Sequence, residues 1–339
     1  MTLARGEFLA GGLALFSGGL DVWSPPAPGS LIRILVSGDR AGAAPEPFDA
    51  QSFRFAGTRY RGRPGVVRLP NGREAVIASV DVEDYLYGVI GLEVSPGWPP
   101  AALRAQAIVA RTYALEHRTL GRPYDVTMDE SDQRYGGLGA ESPATIAAVE
   151  ATRGQRLGYA GGPASVYYAS CCGGHTADAV EFWSHVALPY LRGVACPYCT
   201  AAPDYRWRRS VALDRVTAAL AGRIGGRISG FALGPADASG RPRTVDVLAQ
   251  TERVTLTCTE FRRLLGADVV RSTWLRSVNI DSSAANAGGQ AGPQVVIEGC
   301  GRGHGVGLCQ WGARGMSVAG ATDTQILAFY FPGTALARG

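Results

Sequence analysis

The sequence predicts an α+β fold with mixed sheets, a central alanine-rich helix and a groove between two lobes. Short apolar runs typical of strands are interspersed with segments of helical period, without the regular βαβ alternation that builds a parallel sheet. The length of 339 residues and the hydrophobic share of 46% suffice for one large or two ordinary domains. We therefore divide the chain into an N-terminal segment at 1–24, a first lobe at 25–205 and a second α+β lobe at 206–339 that completes the groove.

The distribution of charge argues against nucleic acid as a partner. The net charge is only +4, and every basic residue is an arginine, a bias that a GC-rich genome explains. No run of arginines is interleaved with aromatic residues in the pattern that stacks on bases. A small positive charge without such a pattern is typical of an ordinary globular surface.

The first residues have the features of an export signal. Arg5 precedes an apolar run at 8–16 that is too short to span a membrane. The segment from Arg5 to Leu9 resembles a twin-arginine signal with Gly6 in the place of the second arginine. We expect export to the periplasm or cell envelope, the alternative for 1–24 being an ordinary N-terminal helix or tail.

Strand candidates open the first lobe. Asn71-Gly72 supplies the positive φ angles that a tight hairpin turn needs, so the runs on its two sides are expected to pair. The predicted strands are 30–36, 53–60, 64–69 and 74–80.

Two helices joined by a proline-rich turn follow. Asp81 caps the first helix, which ends near Gly91, so that Glu93 lies at its C-terminal end. Pro99-Pro100 begins the second, alanine-rich helix. The negative end of a helix dipole raises the pKa of a carboxyl, burial raises it further, and a general acid needs that shift near neutral pH. Glu93 is therefore the candidate acid/base residue.

The remaining elements follow from apolar periodicity, turn residues and glycine stops. We predict helices at 142–151, 210–221, 259–265 and 326–331. We predict strands at 230–233, 244–248, 272–280 and 294–299, and a hairpin formed by 155–159 and 164–169.

Cysteine spacing predicts a metal site in the first lobe. Cys172 and His175, followed by Cys196 and Cys199, have the ligand types and paired spacing of a tetrahedral zinc site, and Cys171 could replace Cys172. Four protein ligands would close the site and make the zinc structural. The alternative in an exported protein is disulfides between these cysteines, although the total of seven rules out complete pairing within the chain.

Taken together, the motifs resemble the stage II sporulation protein D family, also called the sporulation/amidase-enhancer domain. The resemblance covers about residues 75 to 335, and its sharpest motif is the glycine-histidine-glycine segment followed by Gln-x-Gly-Ala. The matching residues keep the family order: Glu83-Asp84-Tyr85-Leu86-Tyr87-Gly88-Val89, Glu93, Ala105-Gln106-Ala107, Ala110-Arg111-Thr112-Tyr113-Ala114, Asp132-Gln133, Tyr135, Gly137, Cys172-Gly173-Gly174-His175-Thr176, Pro189-Tyr190-Leu191, Phe261-Arg262, Leu265-Gly266, Gly303-His304-Gly305-Val306-Gly307, Gln310, Gly312 and Ala313.

The resemblance implies a peptidoglycan lytic transglycosylase with Glu93 as general acid and base in a catalytic first lobe. Such an enzyme cleaves glycan strands, in the family strands without stem peptides, and leaves 1,6-anhydro-muramyl ends. The family usually has Met-Pro after this glutamate, whereas Val94-Ser95-Pro96 stands here. The side chains expected to bind substrate are Arg111, Tyr113, Gln133, His304 and Gln310.

Each assignment has a structural alternative. Arg111 could instead form a structural ion pair, Tyr113 could belong to the core, and the glycines around His304 could simply form a tight turn. For the whole chain, the alternatives are a non-catalytic glycan-binding module or amidase activator, and a zinc-dependent cell-wall hydrolase. The expected partners are peptidoglycan strands and either a cell-wall amidase or a membrane-anchored protein.

Overall fold

A computed structural model describes residues 30–37, 44–118, 121–183, 187–250, 252–282 and 292–338. The prediction of an export signal at 1–24 lies outside these residues. The mixture of helices and small sheets confirms the α+β class. The helices are α1 Val82–Glu93, α2 Pro100–Glu116, α3 Pro143–Ala151, α4 Ala179–Phe182, α5 Leu213–Leu220, α6 Cys258–Leu265, α7 Gln310–Val318 and α8 Asp323–Tyr330.

The strands form six small sheets in the described part of the chain, ordered β5-β6-β1-β7, β2-β3-β4, β18-β8-β9, β10-β17, β11-β16-β15 and β12-β13-β14. Their bounds are β1 Leu31–Ser37, β2 Glu46–Asp49, β3 Ser52–Phe55, β4 Thr58–Arg61, β5 Arg63–Arg68, β6 Glu74–Asp81, β7 Val126–Thr127, β8 Gln155–Tyr159, β9 Gly162–Pro163, β10 Tyr168–Ala169, β11 Trp207–Ala212, β12 Ile228–Leu233, β13 Thr244–Ala249, β14 Arg253–Thr257, β15 Leu275–Asp281, β16 Gln294–Gly299, β17 Leu308–Cys309 and β18 Ala335–Arg338.

The first sheet and α1 form the core that supports Glu93. Strand β1 buries every second residue and pairs antiparallel with β6, and the turn at Asn71-Gly72 joins β5 to β6 as predicted. Asp81 ends β6 and accepts a hydrogen bond from the Glu83 backbone N–H, which caps α1. Because β6 runs directly into α1, the sheet fixes where the helix begins and where its last residue lies.

Three predicted elements differ in the structure. The single strand predicted at 53–60 is instead the hairpin of β3 and β4, with positive φ angles at Ala56 and Gly57 in its turn. In the other two, pairing outweighs local periodicity. Residues 207–212 form β11, which pairs along its whole length with β16, so the predicted helix at 210–221 begins only at Leu213. In the predicted hairpin, β8 pairs with β9 and with the distant β18, whereas β10 pairs in parallel with β17. Both differences arise from partners far away in the sequence.

The C-terminal segment packs on the first half of the chain. Strand β18 pairs with β8, and α7 and α8 both contact α2. Arg104 of α2 forms an ion pair with Asp323 of α8 at 3.0 Å. A separate apolar core lies under the sheets of residues 207–297. The division of the chain at residue 206 stays a prediction, since hydrophobic contacts also join 308–331 to the first lobe.

Arg111 has no accessible surface and binds Glu83 inside the helical layer. Its Nε and Nη2 donate to the two carboxylate oxygens of Glu83 at 2.8 and 2.6 Å, and its Nη1 donates to the Gln155 carbonyl at 3.0 Å. A guanidinium enclosed in this way cannot reach a glycan. The structure therefore places Arg111 in a structural ion pair with Glu83, the alternative named in the sequence analysis.

We expect Arg111→Met to lower the free energy of unfolding by about 3–5 kcal/mol, because it leaves Glu83 as an unpaired buried charge. Urea denaturation followed by circular dichroism measures this. The matched control is Arg208→Met, whose ion pair with Glu298 is exposed and should contribute at most about 1 kcal/mol. Equal losses in the two variants would contradict a structural role for the buried pair.

Candidate active site and cysteine cluster

Glu93 is placed by the close approach of a loop to α1. At Gly88 an added Cβ would lie 2.6 Å from the Tyr135 ring, so only glycine lets this loop pack against the helix. The Gly136 N–H donates to the Gly88 carbonyl at 3.0 Å. This contact brings the backbone of residue 134 to the end of α1, where Glu93 is the last helical residue.

The Glu93 carboxyl is held by neutral groups. The Arg134 backbone N–H donates to Oε1 at 3.0 Å, and Gln310 Nε2 lies 3.5 Å from Oε2. Burial raises the pKa of Glu93, while the hydrogen bonds from the Arg134 N–H, Gln310 and the Tyr168 hydroxyl, together with the charge of the Arg134 side chain, oppose that rise. The carboxyl is therefore shifted towards holding a proton, yet has donors that can stabilise its charged form.

Gln133 is fully buried and orients Tyr168 instead of facing solvent. Its Nε2 donates to the Tyr168 hydroxyl at 3.1 Å and to the Ala110 carbonyl at 3.4 Å, while its Oε1 accepts from the Tyr85 hydroxyl at 3.3 Å. The structure therefore places Gln133 beneath the site, where it positions the Tyr168 hydroxyl. Since Tyr168 accepts from Gln133, its own hydroxyl hydrogen is free to point towards Glu93.

Gln310 reaches Glu93 because of a short strand pairing. Tyr168 and Ala169 of β10 pair in parallel with Leu308 and Cys309 of β17, and α7 begins at the next residue. The pairing therefore delivers Tyr168 and Gln310 to the same carboxyl from two distant parts of the chain. Sequence reasoning placed Gln310 in the site by resemblance and did not predict the helix that it begins.

Both ring nitrogens of His304 are engaged by the backbone. Nδ1 accepts from the Val306 N–H at 3.1 Å, so Nε2 carries the hydrogen and donates to the Tyr168 carbonyl at 2.9 Å. Burial lowers the pKa of His304 to about 4, so the ring is neutral at ordinary pH. The imidazole lies among the rings of Tyr167, Phe182 and Trp183. In this arrangement the His304 ring is held by the backbone and packed among aromatic rings, and it contacts the residue whose hydroxyl bonds to Glu93.

Tyr113 is half-buried and ties a loop to α2. Its hydroxyl donates to Asp132 Oδ1 at 2.9 Å, and its ring stacks on His117 with centroids 3.8 Å apart. Asp132 also accepts from the Thr127 backbone N–H at 2.8 Å. These contacts fix the loop that ends in Gln133 and Arg134, so that Tyr113 acts on the site through the loop.

Aromatic rings that the sequence analysis did not single out border the site. Trp311, next to Gln310, packs edge-on against Trp98 of the turn after Glu93, with ring centroids 5.2 Å apart. Both rings are partly exposed. Their positions beside two of the predicted site residues could have identified them, because apolar ring faces at a partly wet surface are typical of sugar-binding sites.

Four buried cysteines lie together directly behind Gln310. The Sγ atoms of Cys172, Cys196, Cys199 and Cys309 all lie within 4.8 Å of one another, and those of Cys172 and Cys199 are 3.6 Å apart. A tetrahedral zinc ion with Zn–S bonds of about 2.3 Å would separate its sulfurs by roughly 3.8 Å. The four thiols could therefore hold a metal ion.

The predicted ligand set is corrected at one position. His175 is not in the cluster, because its Nδ1 lies 2.7 Å from the Thr176 carbonyl, and Cys309 takes its place. Cys171, the alternate ligand, is buried nearby but is not one of the four. Cys309 was missed because it lies 110 residues beyond Cys199. No disulfide joins the cysteines, all seven of which lie in the described residues.

Cys309 connects the cluster to the Glu93 site. Its Sγ accepts from the Cys172 N–H at 3.2 Å and from the Gly312 N–H at 3.3 Å, which caps α7. At Gly312 an added Cβ would lie 2.7 Å from Cys196 Sγ, so glycine is needed for the helix to pass this close. The start of α7, and with it Gln310, is consequently fixed by the cysteine cluster.

Comparison with known proteins agrees with the motifs. The sequence profile of the stage II sporulation protein family matches residues 70–159. An uncharacterised protein of Brachyspira hyodysenteriae is 33% identical over 84% of this chain and 74% of its own length. Stage II sporulation protein D of Bacillus subtilis is 25% identical over 77% of this chain and 76% of its own length. The amidase enhancer of Bacillus subtilis is 28% identical over 74% of this chain and 40% of its own length.

We expect Glu93→Gln to stabilise the protein, and to do so more at pH 7 than at pH 4. Because burial raises the pKa of Glu93 in the folded state above its ordinary value of 4.5, the ionised form is penalised only in the folded state. That penalty is absent well below pH 4.5 and grows as the pH rises through the folded-state pKa. Thermal melting at both pH values measures it, and a melting temperature that falls at pH 7 would contradict the analysis.

Proposed function

We propose that this chain, which belongs to the stage II sporulation protein D family, is a peptidoglycan lytic transglycosylase that uses Glu93 as its acid and base. The observation that carries the proposal is a single carboxyl whose pKa is raised by burial and whose hydrogen-bond partners are all uncharged groups. The family membership supports a role in the cell wall. The identity of the reaction rests on the chemistry of the site.

One carboxyl suffices for this reaction because the substrate supplies the nucleophile. Protonated Glu93 gives its proton to the glycosidic oxygen as the bond from the muramyl C1 breaks. The resulting carboxylate is stabilised by the Arg134 N–H, the Gln310 amide and the Tyr168 hydroxyl. It then takes the proton of the muramyl C6 hydroxyl as that oxygen bonds to C1, which closes the 1,6-anhydro ring and returns Glu93 to its protonated form.

Two other acidic residues of the first lobe already have partners. Glu83 is paired with Arg111, and Asp132 holds Tyr113 and the Thr127 backbone. Neither is placed to serve as the second carboxylate of an ordinary glycosidase. This supports a mechanism in which the sugar hydroxyl, and not a second acid, does the work of the nucleophile.

A glycan-binding amidase activator is the second candidate. One relative is named an amidase enhancer, and the aromatic rings beside Glu93 would suit a sugar whether or not it is cleaved. In both cases the ligand is a peptidoglycan strand, and an activator would in addition need a cell-wall amidase or a membrane-anchored protein as partner. Either function requires a location outside the cytoplasmic membrane. In the part of the chain that the structure describes, no helix is long and apolar enough to cross a membrane.

We further propose that Cys172, Cys196, Cys199 and Cys309 hold a structural zinc ion. Zinc would supply cross-linking of three chain segments, since its four thiolate positions would all be filled by protein. A closed site leaves no position for water, which disfavours the zinc-hydrolase alternative. We therefore assign the reaction to Glu93. The cysteine cluster would hold the start of α7.

We expect Glu93→Gln to lower the release of anhydro-muramyl ends by at least about a hundredfold, because general acid–base catalysis contributes about 10²- to 10⁴-fold. Chromatography of the products from peptide-free strands measures it. The matched control is Glu46→Gln, an exposed acid of β2 that should retain full activity. Wild-type protein that binds these strands but releases no products would favour the activator, and full activity in Glu93→Gln would overturn the mechanism.

We expect about one zinc ion per purified chain, lost in Cys309→Ser and retained in His175→Ala. Elemental analysis with thiol titration measures this. A chelator should lower the melting temperatures of the wild type and of His175→Ala but not that of Cys309→Ser, because a structural metal stabilises the folded state. The disulfide alternative predicts the reverse: no zinc and fewer free thiols. Retention of zinc in Cys309→Ser with loss in His175→Ala would restore the ligand set predicted from spacing.

A further inference from the structure

The Arg262 guanidinium is half-buried and has no partner among the residues that the structure describes. It lies near the end of α6 in the second lobe, within a family motif for which the mechanism above has no use. Its side chain forms no hydrogen bond or ion pair with those residues, and its Nε is buried without an acceptor. A guanidinium has five N–H donors, and leaving them out of water without acceptors costs free energy. A ligand that accepts hydrogen bonds would offset this cost.

The surroundings of Arg262 carry an excess of positive charge. Burial lowers its pKa, the positive charge of Arg302 lowers it further, and only the exposed Glu130 opposes both. Asp204 does not compensate Arg262, since it is shared by Arg302 at 3.4 Å and Arg271 at 3.6 Å. The region would therefore be stabilised by an added anion.

Arg262 also lies close to the aromatic rings that surround His304. Its charge acts on the His304 ring, and that ring contacts Trp183 and Phe182 with centroids 5.3 and 5.7 Å apart. The Tyr168 carbonyl that binds His304 belongs to the same residue whose hydroxyl faces Glu93. The guanidinium and the catalytic carboxyl are thus linked through one tyrosine and one histidine.

We propose that Arg262 binds a carboxylate carried by the glycan strand that Glu93 acts on. The proposal rests on the proposed function, and it transfers to Arg262 the role that the burial of Arg111 excludes. A guanidinium binds a carboxylate through two parallel hydrogen bonds, and desolvation strengthens that pairing. The carboxylate has two sources: the lactyl group of a muramyl residue, which is free only in peptide-free strands, or the stem peptide of an intact strand.

The experiment measures binding of the full chain in the Glu93→Gln background, so that strands are not consumed. The probes are peptide-free strands, peptide-bearing strands and N-acetylglucosamine oligomers of similar length, which carry no carboxylate. We expect Arg262→Gln to weaken binding of peptide-free strands roughly tenfold or more, and to leave binding of the oligomers unchanged. Arg262→Lys should recover part of the loss, because it restores the charge without the planar fork.

Arg263→Gln is the matched control, since Arg263 is the next residue of α6, carries the same charge and is exposed. A loss confined to peptide-bearing strands would assign Arg262 to the stem peptide, and equal binding by Arg262→Gln and Arg263→Gln would overturn the proposal. Misfolding is not expected, because Arg262 makes no hydrogen bond that the substitution removes, and melting temperatures check it. If the wild type cleaves strands while Arg262→Gln binds normally, only this inference fails; if binding behaves as expected without cleavage, only the proposed activity fails.

Discussion

The parallel pairing of β10 with β17 is the constraint on which the candidate site depends. It joins only two residues on each side, Tyr168 with Leu308 and Ala169 with Cys309. Those two pairs bring Tyr168, Gln310 and Cys309 into place from positions some 140 residues apart. A ladder this short is weak by itself, so its position must be secured by the groups packed around it. The cysteine cluster behind α7 and the backbone bonds of His304 supply that support.

The carboxyl groups of Glu83 and Glu93 have different electrostatic surroundings. Glu83 lies in a bidentate pair with a buried arginine, which makes it part of the framework. Glu93 accepts only from a backbone N–H, an amide and a hydroxyl, while burial raises its pKa. The charge of the nearby Arg134 side chain lowers the pKa of Glu93, but burial outweighs that charge and the hydrogen bonds together. The raised pKa is what makes acid chemistry available at this position.

Burial also distinguishes the motif residues that position other side chains from those that could contact a ligand. Gln133 and Arg111 are enclosed, so they act by fixing Tyr168 and the helical layer. The side chains that remain at least partly exposed near the site include the rings of Trp98, Trp311 and Trp183, and the guanidinium groups of Arg134 and Arg262. A glycan bound here would therefore meet aromatic faces and positive charge, while buried motif residues such as Gln133 lie beneath.

The sequence alone was enough to predict the α+β class, the capped helix with Glu93 at its C-terminal end, the Asn71-Gly72 hairpin and the family, because each depends on local periodicity, turn chemistry or ordered motifs. It also identified three of the four clustered cysteines. The three-dimensional structure was needed to show that 207–212 is a strand, that Glu83 is the partner of Arg111 and that Cys309, and not His175, joins the other three cysteines. The physical reason is the same in each case: hydrogen bonds, ion pairs and sulfur contacts between residues distant in the chain outweigh the local preference, and a single sequence does not contain the distances that select them.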